Sequence, residues 1–474
     1  MREKSCVIIG AGLAGLSAGY KLTENGWKIT IVEARDRIGG RVYSHRFHEA
    51  PDLYCELGGE WVGREHNRVR TLCKKFKLPL IPHRFDFSFA ERGKITERFR
   101  AGQWPFEPSL KDVLKKEANK IVNLRPSKKS RREQQRFDQQ DWWTFLRDID
   151  FSLKDRLRRD LMDSTDFGES IRHSGAYSAA AEYYDPKSSN RYDEMDFRIK
   201  GGNTLLVNAL SDHIGLDAIH TSTEAVRVSQ TRGKNGHVTV WTKDNRTEPF
   251  PRFRRNRERV ETGSQKGLKP FCAGYCICTV PVRVLTDIDF DPPLSPGHSK
   301  AAKDLQYARI MKTVVLFEER FWLENKTTKF SCFTDNASDF IFDATLGQPF
   351  NRSKSEGILC SYAIGDKADD LAARGTEELR RLIEQDLTRL FPGKNTRAIA
   401  IERYAWQEDK YTQGAYAFYR PGQWFPVRDA LGTPLDEVFF AGEHLADEQG
   451  FMDGAIDTGE DAAKAVVKAQ AATA

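Results

Sequence analysis

Ser5-Cys6-Val7-Ile8-Ile9-Gly10-Ala11-Gly12-Leu13-Ala14-Gly15 runs from five β-rich residues into a glycine cluster close to the start of the chain. Residues 13–25 then read as a helix with Leu16, Tyr20 and Leu22 on its apolar side, and Gly26 stops it. Lys28–Val32 reads as a second strand that ends in Glu33. Gly10-x-Gly12-x-x-Gly15 therefore lies between a strand and a helix. The first glycine permits the tight turn, and the second lets the backbone approach a pyrophosphate on the positive helix end. The third lets the helix pack on the strand. Glu33 stands where a carboxylate can bind ribose hydroxyls. An ordinary tight turn is the bland alternative; the strand–turn–helix setting and Glu33 favour a dinucleotide.

The next residues add a second phosphate-facing loop. Arg35-Asp36-Arg37-Ile38-Gly39-Gly40-Arg41 offers two glycines for close backbone approach and a guanidinium for phosphate. A nicotinamide dehydrogenase has no need of it.

Composition narrows the class further. The 474 residues are 39% hydrophobic and 30% charged, and the net charge is +6. No run approaches the roughly 18 apolar residues of a membrane span. Aromatic residues at 11% argue against disorder, and 35 Gly with 19 Pro against a collagen-like or low-complexity chain. The small charge excess implies no global nucleic-acid footprint. The eight cysteines follow no disulfide framework; Cys272, Cys276 and Cys278 read as buried structural thiols, and no metal site is expected. The first apolar run leads straight into glycines, unlike a secretory signal, so a cytoplasmic location is expected.

Further along, residues 65–200 read as a mostly helical insertion, with Leu153-x3-Leu157-x3-Leu161 as an apolar stripe. Arg125–Arg132 reads as a loop or linker. Val226–Val228, Val238–Trp241 and Tyr275–Val280 alternate like an antiparallel meander. The long connection 244–270, with Arg252, Arg254, Arg255, Arg257 and Arg259, reads as an exposed loop. Residues 310–318 and 357–364 read as strands. Thr376–Phe391 reads as an amphipathic helix capped by Thr376, with Glu377 and Glu378 at its positive end. Val438–Ala441 is a strand entering Gly442, and residues 453–470 form a final helix.

The motif from Gly10 to Arg41, GxGxxG followed by E-A-x-x-R-x-G-G-R, resembles that of flavoproteins that bind FAD in an extended form. Carotenoid desaturases and protoporphyrinogen oxidases share it. Four later blocks are similar to flavin amine oxidases in that family's order. Glu56-Leu57-Gly58-Gly59-Glu60-Trp61-Val62-Gly63 resembles the loop under the flavin. Met311-Lys312-Thr313 with Phe321-Trp322 resembles the segment of the lysine near flavin N5. Trp406-x4-Tyr411-x4-Tyr416 resembles the aromatic block beside the ring. Phe440–Glu443, Gly450–Ala455 and Gly459-Glu460 resemble the C-terminal flavin motif.

The resemblance implies an α/β fold: a Rossmann-like FAD-binding domain interleaved with a mixed sheet-plus-helix substrate domain. Residues 1–64, 200–285 and 397–474 would form the first, and 65–199 and 286–396 the second. It also implies FAD contacts from Gly10, Gly12, Ala14, Gly15, Glu33, Ala34, Arg35, Gly40 and Arg41, and from Gly58, Gly59, Glu60, Trp61 and Val226. Further contacts would come from Trp406, Tyr411, Gly442, Glu443, Gly450, Phe451, Met452 and Ala455. Lys312 would hold a water by N5, and Tyr416 and Phe451 would flank the amine. Monoamine oxidases attach FAD through a cysteine where this chain has Ala415, so FAD is expected to be non-covalent.

Ser361–Ala368 resembles a strand-loop segment of L-amino acid oxidases. The implied reaction takes a Cα hydride from a neutral L-amino acid to N5. The imino acid hydrolyses to a 2-oxo acid and ammonia, and oxygen reoxidises the flavin to give hydrogen peroxide. Many such enzymes hold the substrate carboxylate with an arginine where this chain has Trp61. Arg64, one turn on, is the first candidate to replace it, with Trp61 as a substrate contact, and Arg309 is another. A soluble amine or polyamine oxidase is the alternative, with Glu60 and Asp343 as carboxylates for ammonium groups. A chromatin-demethylase type would need the basic loop at 252–259, and no interaction module accompanies it. The partners implied are the small amine and oxygen, without nucleic acid or membrane, and a homodimer is left open.

Overall fold

The computed structural model describes residues 3–100, 108–122, 124, 127–183, 195–231, 236–246, 267–323, 329–350, 355–447 and 449–473. Ser5–Ile9 is the central strand of a five-stranded parallel sheet ordered Val438–Phe440, Tyr275–Cys278, Ser5–Ile9, Lys28–Val32, Ile219–His220. All five of its residues are buried. A parallel strand covered on both faces needs such a continuous apolar run. Leu16, Tyr20, Ile31, Leu206, Leu210, Ile456 and Val466 pack on one face, and Val7, Ile9, Val228, Val238 and Val240 on the other. Helix Leu13–Glu24 follows the glycine turn, and the C-terminal helix Met452–Thr473 lies against it.

An antiparallel sheet joins Thr223–Gln230, Val238–Asp244 and Lys269–Ala273, with Asp289–Asp291 parallel at its edge. The expected meander is corrected here, because Tyr275–Cys278 leaves it and pairs with Ser5–Ile9. All four of its residues are apolar enough to be buried on both faces, which an exposed meander edge could not satisfy. Cys272 precedes that switch and is exposed, unlike buried Cys276 and Cys278. All eight cysteines are free thiols. The arginines of 252–259 lie outside the described residues.

A seven-stranded mixed sheet is ordered Ala400–Ala405, Ile310–Phe317, Gly357–Ile364, Phe340–Asp343, Phe330–Thr334, Asp86–Glu91, Lys94–Arg100. Its last two strands form a hairpin inside the stretch expected to be helical. Helix Thr376–Leu390 covers one face through Leu379, Ile383, Leu387 and Leu390. Its N-cap is Gly375, and Thr376 is already helical. Ser361–Ile364 ends a strand, and the continuation is helix Gly365–Ala372 rather than a loop.

The helical layer comprises Pro108–Val122, Lys128–Phe137, Trp142–Asp148, Leu153–Phe167 and Ala176–Tyr183. Part of the expected linker at Arg125–Arg132 is thus helix. Ser127 and Ser130 form a reciprocal capping box at 3.0 and 2.8 Å, which starts a helix despite the charge density. The leucine stripe also reads differently: Leu153 and Leu157 are 59% and 51% exposed. The buried face of that helix carries Arg159, Met162, Asp163 and Thr165. Asp163 accepts from Trp142 Nε1 at 2.8 Å and from Arg159 Nε at 2.9 Å, so a polar trio stands in for Leu153 and Leu157, while Leu161 is partly buried against the core. Among the described residues no helix is long and apolar enough to cross a membrane, and no cluster suits a metal ion.

Candidate active site

One elongated cavity links the glycine turn to the middle of the seven-stranded sheet. At its first end Gly10 adopts a φ of +103°, which favours glycine. A Cβ on Gly15 would lie 1.9 Å from Gly10 O, and one on Gly40 would lie 3.2 Å from Gly12 Cα. Two backbone segments therefore meet without side chains between them, at the N-terminus of helix Leu13–Glu24. This cradle fits a pyrophosphate. Gly15 packs inside the turn rather than on the cavity wall.

Glu33 shapes the neighbouring part. Its Oε2 accepts from Ala11 N at 2.8 Å and its Oε1 from Arg35 N at 2.9 Å. Each oxygen keeps a lone pair for a sugar hydroxyl. Arg35 is buried and pairs with Asp409 at 2.6 Å, and the Tyr404 hydroxyl also donates to Asp409. Burial opposes the Arg35 charge, and Asp409 and Glu33 outweigh it, so its pKa is raised. Tyr411 stacks beneath the Arg35 guanidinium at 5.4 Å. Val226 does not line the wall: the strand register shifts between Ala225 and Arg227, and Glu224 and Ala225 face the cavity instead.

The loop 56–61 forms the side of the middle section. Gly59 N donates to Arg41 O at 3.0 Å, tying the loop to the segment 35–41. Trp406 Nε1 donates to Leu57 O at 2.8 Å. Lys312 projects from strand Ile310–Phe317 and gives its three N–H groups to Gly58 O at 2.9 Å, Glu60 Oε2 at 2.9 Å and Glu56 O at 3.3 Å. Glu60 Oε1 receives Arg198 Nη1 at 2.8 Å. Burial works against the Lys312 ammonium, but Glu60 opposes it and the net shift is upward. Burial, with Glu60 nearby, pushes Glu56 up to about 7.

Two rings face the far end. Tyr416 donates through its hydroxyl to Thr165 O at 3.0 Å and to Asp166 O. Phe451 packs on the His66 ring at 5.0 Å. Glu443 ties their segments together, accepting from Ala417 N at 3.2 Å, Gly450 N at 2.9 Å and Arg41 Nη1 at 2.6 Å. Gly442, Met452 and Ala455 also lie on the wall, as does Ala415, whose methyl cannot form a thioether. Beyond the rings stand Phe87, Phe99, Met162, Met195, Phe333 and Tyr362, which sequence reasoning missed. The β-like alternation of Phe87 and Phe89 was a local signal for the first, and Tyr362 lies in the segment Ser361–Ala368.

Several sequence candidates lie elsewhere. Arg64 is not on the wall; it is half-exposed, with Nε 3.4 Å from Asp196 Oδ2. Arg309 is drawn away by Glu169, Asp366 and Asp369 at 2.9, 2.7 and 2.9 Å. Asp343 is buried off the wall and accepts from Thr345 N and Oγ1 at 2.8 and 2.6 Å. Among the described residues the cations on the wall are Arg35, Arg41 and Lys312, each paired with a carboxylate.

Comparison with known proteins bears on the same features. An L-amino-acid oxidase of Daboia russelii is 27% identical over 98% of this chain and 89% of its own length. One from Bothrops atrox is 26% identical over the same shares. A putrescine oxidase solved with putrescine superposes with a TM-score of 0.79 at 20% identity, covering 98% of this chain and 99% of that one. Cyclohexylamine oxidase from Brevibacterium oxydans gives 0.79 at 19%, with the same coverage. At such identity these structures speak for the α/β fold. The profile of flavin-containing amine oxidoreductases spans residues 13–467, from the glycine turn to the last helix. With cradle, lysine and paired rings along one cavity, the chain belongs to the flavin-containing amine oxidoreductase family.

Proposed function

We propose that the protein catalyses FAD-dependent oxidative deamination of a primary amine carbon, with L-amino acids as the first substrate class. The products are a 2-oxo acid, ammonia and hydrogen peroxide. The observation that carries the reading is one cavity joining a dinucleotide cradle to Lys312, Tyr416 and Phe451. The L-amino-acid oxidases matched over 98% of the chain support the substrate class.

When bound, FAD supplies the two-electron acceptor that oxygen regenerates. Glu33 would hold the adenosine ribose, the Gly10–Gly15 turn with Gly40 and Arg41 the pyrophosphate, and Gly58–Trp61 with Trp406 the flavin end. Ala415 supports non-covalent attachment. Residues 1–64, 200–285 and 397–474 would carry the cofactor, and 65–199 and 286–396 the substrate. Tyr416 and Phe451 would confine the amine, a contribution of orientation. The apolar far wall disfavours an ammonium and so favours the neutral, oxidisable amine.

A second reading, an amine without a carboxylate, has one specific observation in its favour. Among the described residues each wall cation is already paired, and Arg64 and Arg309 are held elsewhere. A peroxide assay of the purified yellow protein tests both, across L- and D-amino acids, putrescine, spermine and benzylamine. Turnover of L-amino acids supports the first reading. Turnover of amines alone selects the second, and turnover of none removes both. Acid precipitation should release all the flavin; colour retained in the pellet would contradict non-covalent binding.

A further inference from the structure

Lys312 is a cation on a strand whose eight residues are all buried. A lysine in such surroundings loses its proton unless a carboxylate meets it. Glu60 does so at 2.9 Å, and Arg198 occupies its second oxygen at 2.8 Å. The side chains of Glu60 and Arg198 are no more than 1% exposed. Arg198 is itself fixed by donating to Ala344 O at 2.7 Å. The Asn203 amide donates to Gly59 O and Glu60 O at 2.9 and 2.8 Å. The loop 56–60 is thus held by Lys312 from strand Ile310–Phe317 and by the side chains of Arg198 and Asn203. All three N–H groups of the ammonium are spent on this loop.

We propose that Glu60 is a positioning residue: it clamps the Lys312 ammonium, and the pair braces the loop that forms the side wall of the flavin end. The proposal rests on the FAD reading above.

The test compares Lys312→Met, Glu60→Gln and the double variant with the native protein, in two measurements. The first titrates flavin-stripped protein with FAD and needs no substrate. The second follows anaerobic reduction of bound flavin by whichever amine the native protein turns over. Each single variant should weaken FAD binding about tenfold and lower the limiting reduction rate per bound flavin about tenfold, with half-saturation within twofold of native. The double variant should be no worse than the more affected single variant, because both residues act through one contact. Glu60→Asp, which keeps the charge, should recover part of the loss. Losses that multiply in the double variant would overturn the proposal. So would Glu60→Gln behaving as native while Lys312→Met slows reduction, since the lysine would then act alone. Lys312→Met leaves Glu60 on Arg198 and should fold; native FAD affinity in that variant overturns the proposal even if Glu60→Gln does not fold. A protein that binds FAD but oxidises no amine would sink the proposed activity and leave the titration decisive here.

Discussion

Glu33 shows how much a single residue can be asked to do. Its carboxylate fixes the turn through Ala11 and Arg35 and still faces the cavity. Hydrogen bonds to a charged group contribute about 1.5–3 kcal/mol each. Glu33→Gln should therefore weaken FAD binding by about ten- to a hundredfold, read by fluorescence titration of stripped protein. Arg64 is the converse case: its partner Asp196 holds it off the wall, so Arg64→Ala should leave KM within about twofold. A tenfold rise in KM for an amino acid, with none for a simple amine, would return that guanidinium to the site. His66 carries a pH signature. Burial lowers its pKa from 6.5 to about 4. The unfolded chain takes up the proton first, so the stability contributed is present above pH 6.5 and lost as pH falls from there towards 4. Between pH 8 and pH 5 that amounts to about 2 kcal/mol. Urea unfolding of His66→Gln at both values should show a correspondingly smaller loss than the native protein; an identical loss would refute it.

At the scale of elements, the helix Leu153–Phe167 separates pattern from partner. Leu153 and Leu157 satisfy helical spacing yet face water, because Arg159 and Asp163 meet Trp142 on the buried side. Removing one member of a buried charged pair costs about 3–5 kcal/mol. Asp163→Ala should lower unfolding stability by about that amount, whereas Leu153→Gln should change it by less than about 0.5 kcal/mol. Equal effects in chemical denaturation would show that the leucine face is covered. The helix Lys128–Phe137 was hidden for a related reason. A run of basic residues reads as a loop, and only the reciprocal Ser127–Ser130 bonds reveal its start. Conversely, Ser5–Ile9, the glycine turn and Lys28–Val32 were legible to the residue, since period, glycine spacing and terminal acid all agree.

For the whole molecule, the parallel sheet draws strands from both ends of the chain and from between them. The C-terminal helix reaches the first helix because Gly459 lacks a side chain: a Cβ there would lie 2.2 Å from Ala14 O. Gly459→Leu should push the two helices apart, destabilise the fold by about 3 kcal/mol and weaken FAD binding with it. Native thermal stability in that variant would show that the helices do not rely on this contact. The sequence by itself determined the glycine cradle, because a tight turn, a helix N-terminus and the acid that ends the second strand are written within the first 41 residues. It also marked the later blocks that meet along one cavity, through residue types at short spacing. Only the tertiary structure decided which charges meet and which face away. Lys312 and Glu60 are 252 residues apart, and Arg309 finds its acids 57, 60 and 140 residues away. Pairings at that range follow from how sheets and helices close around a common core, and no local pattern encodes them.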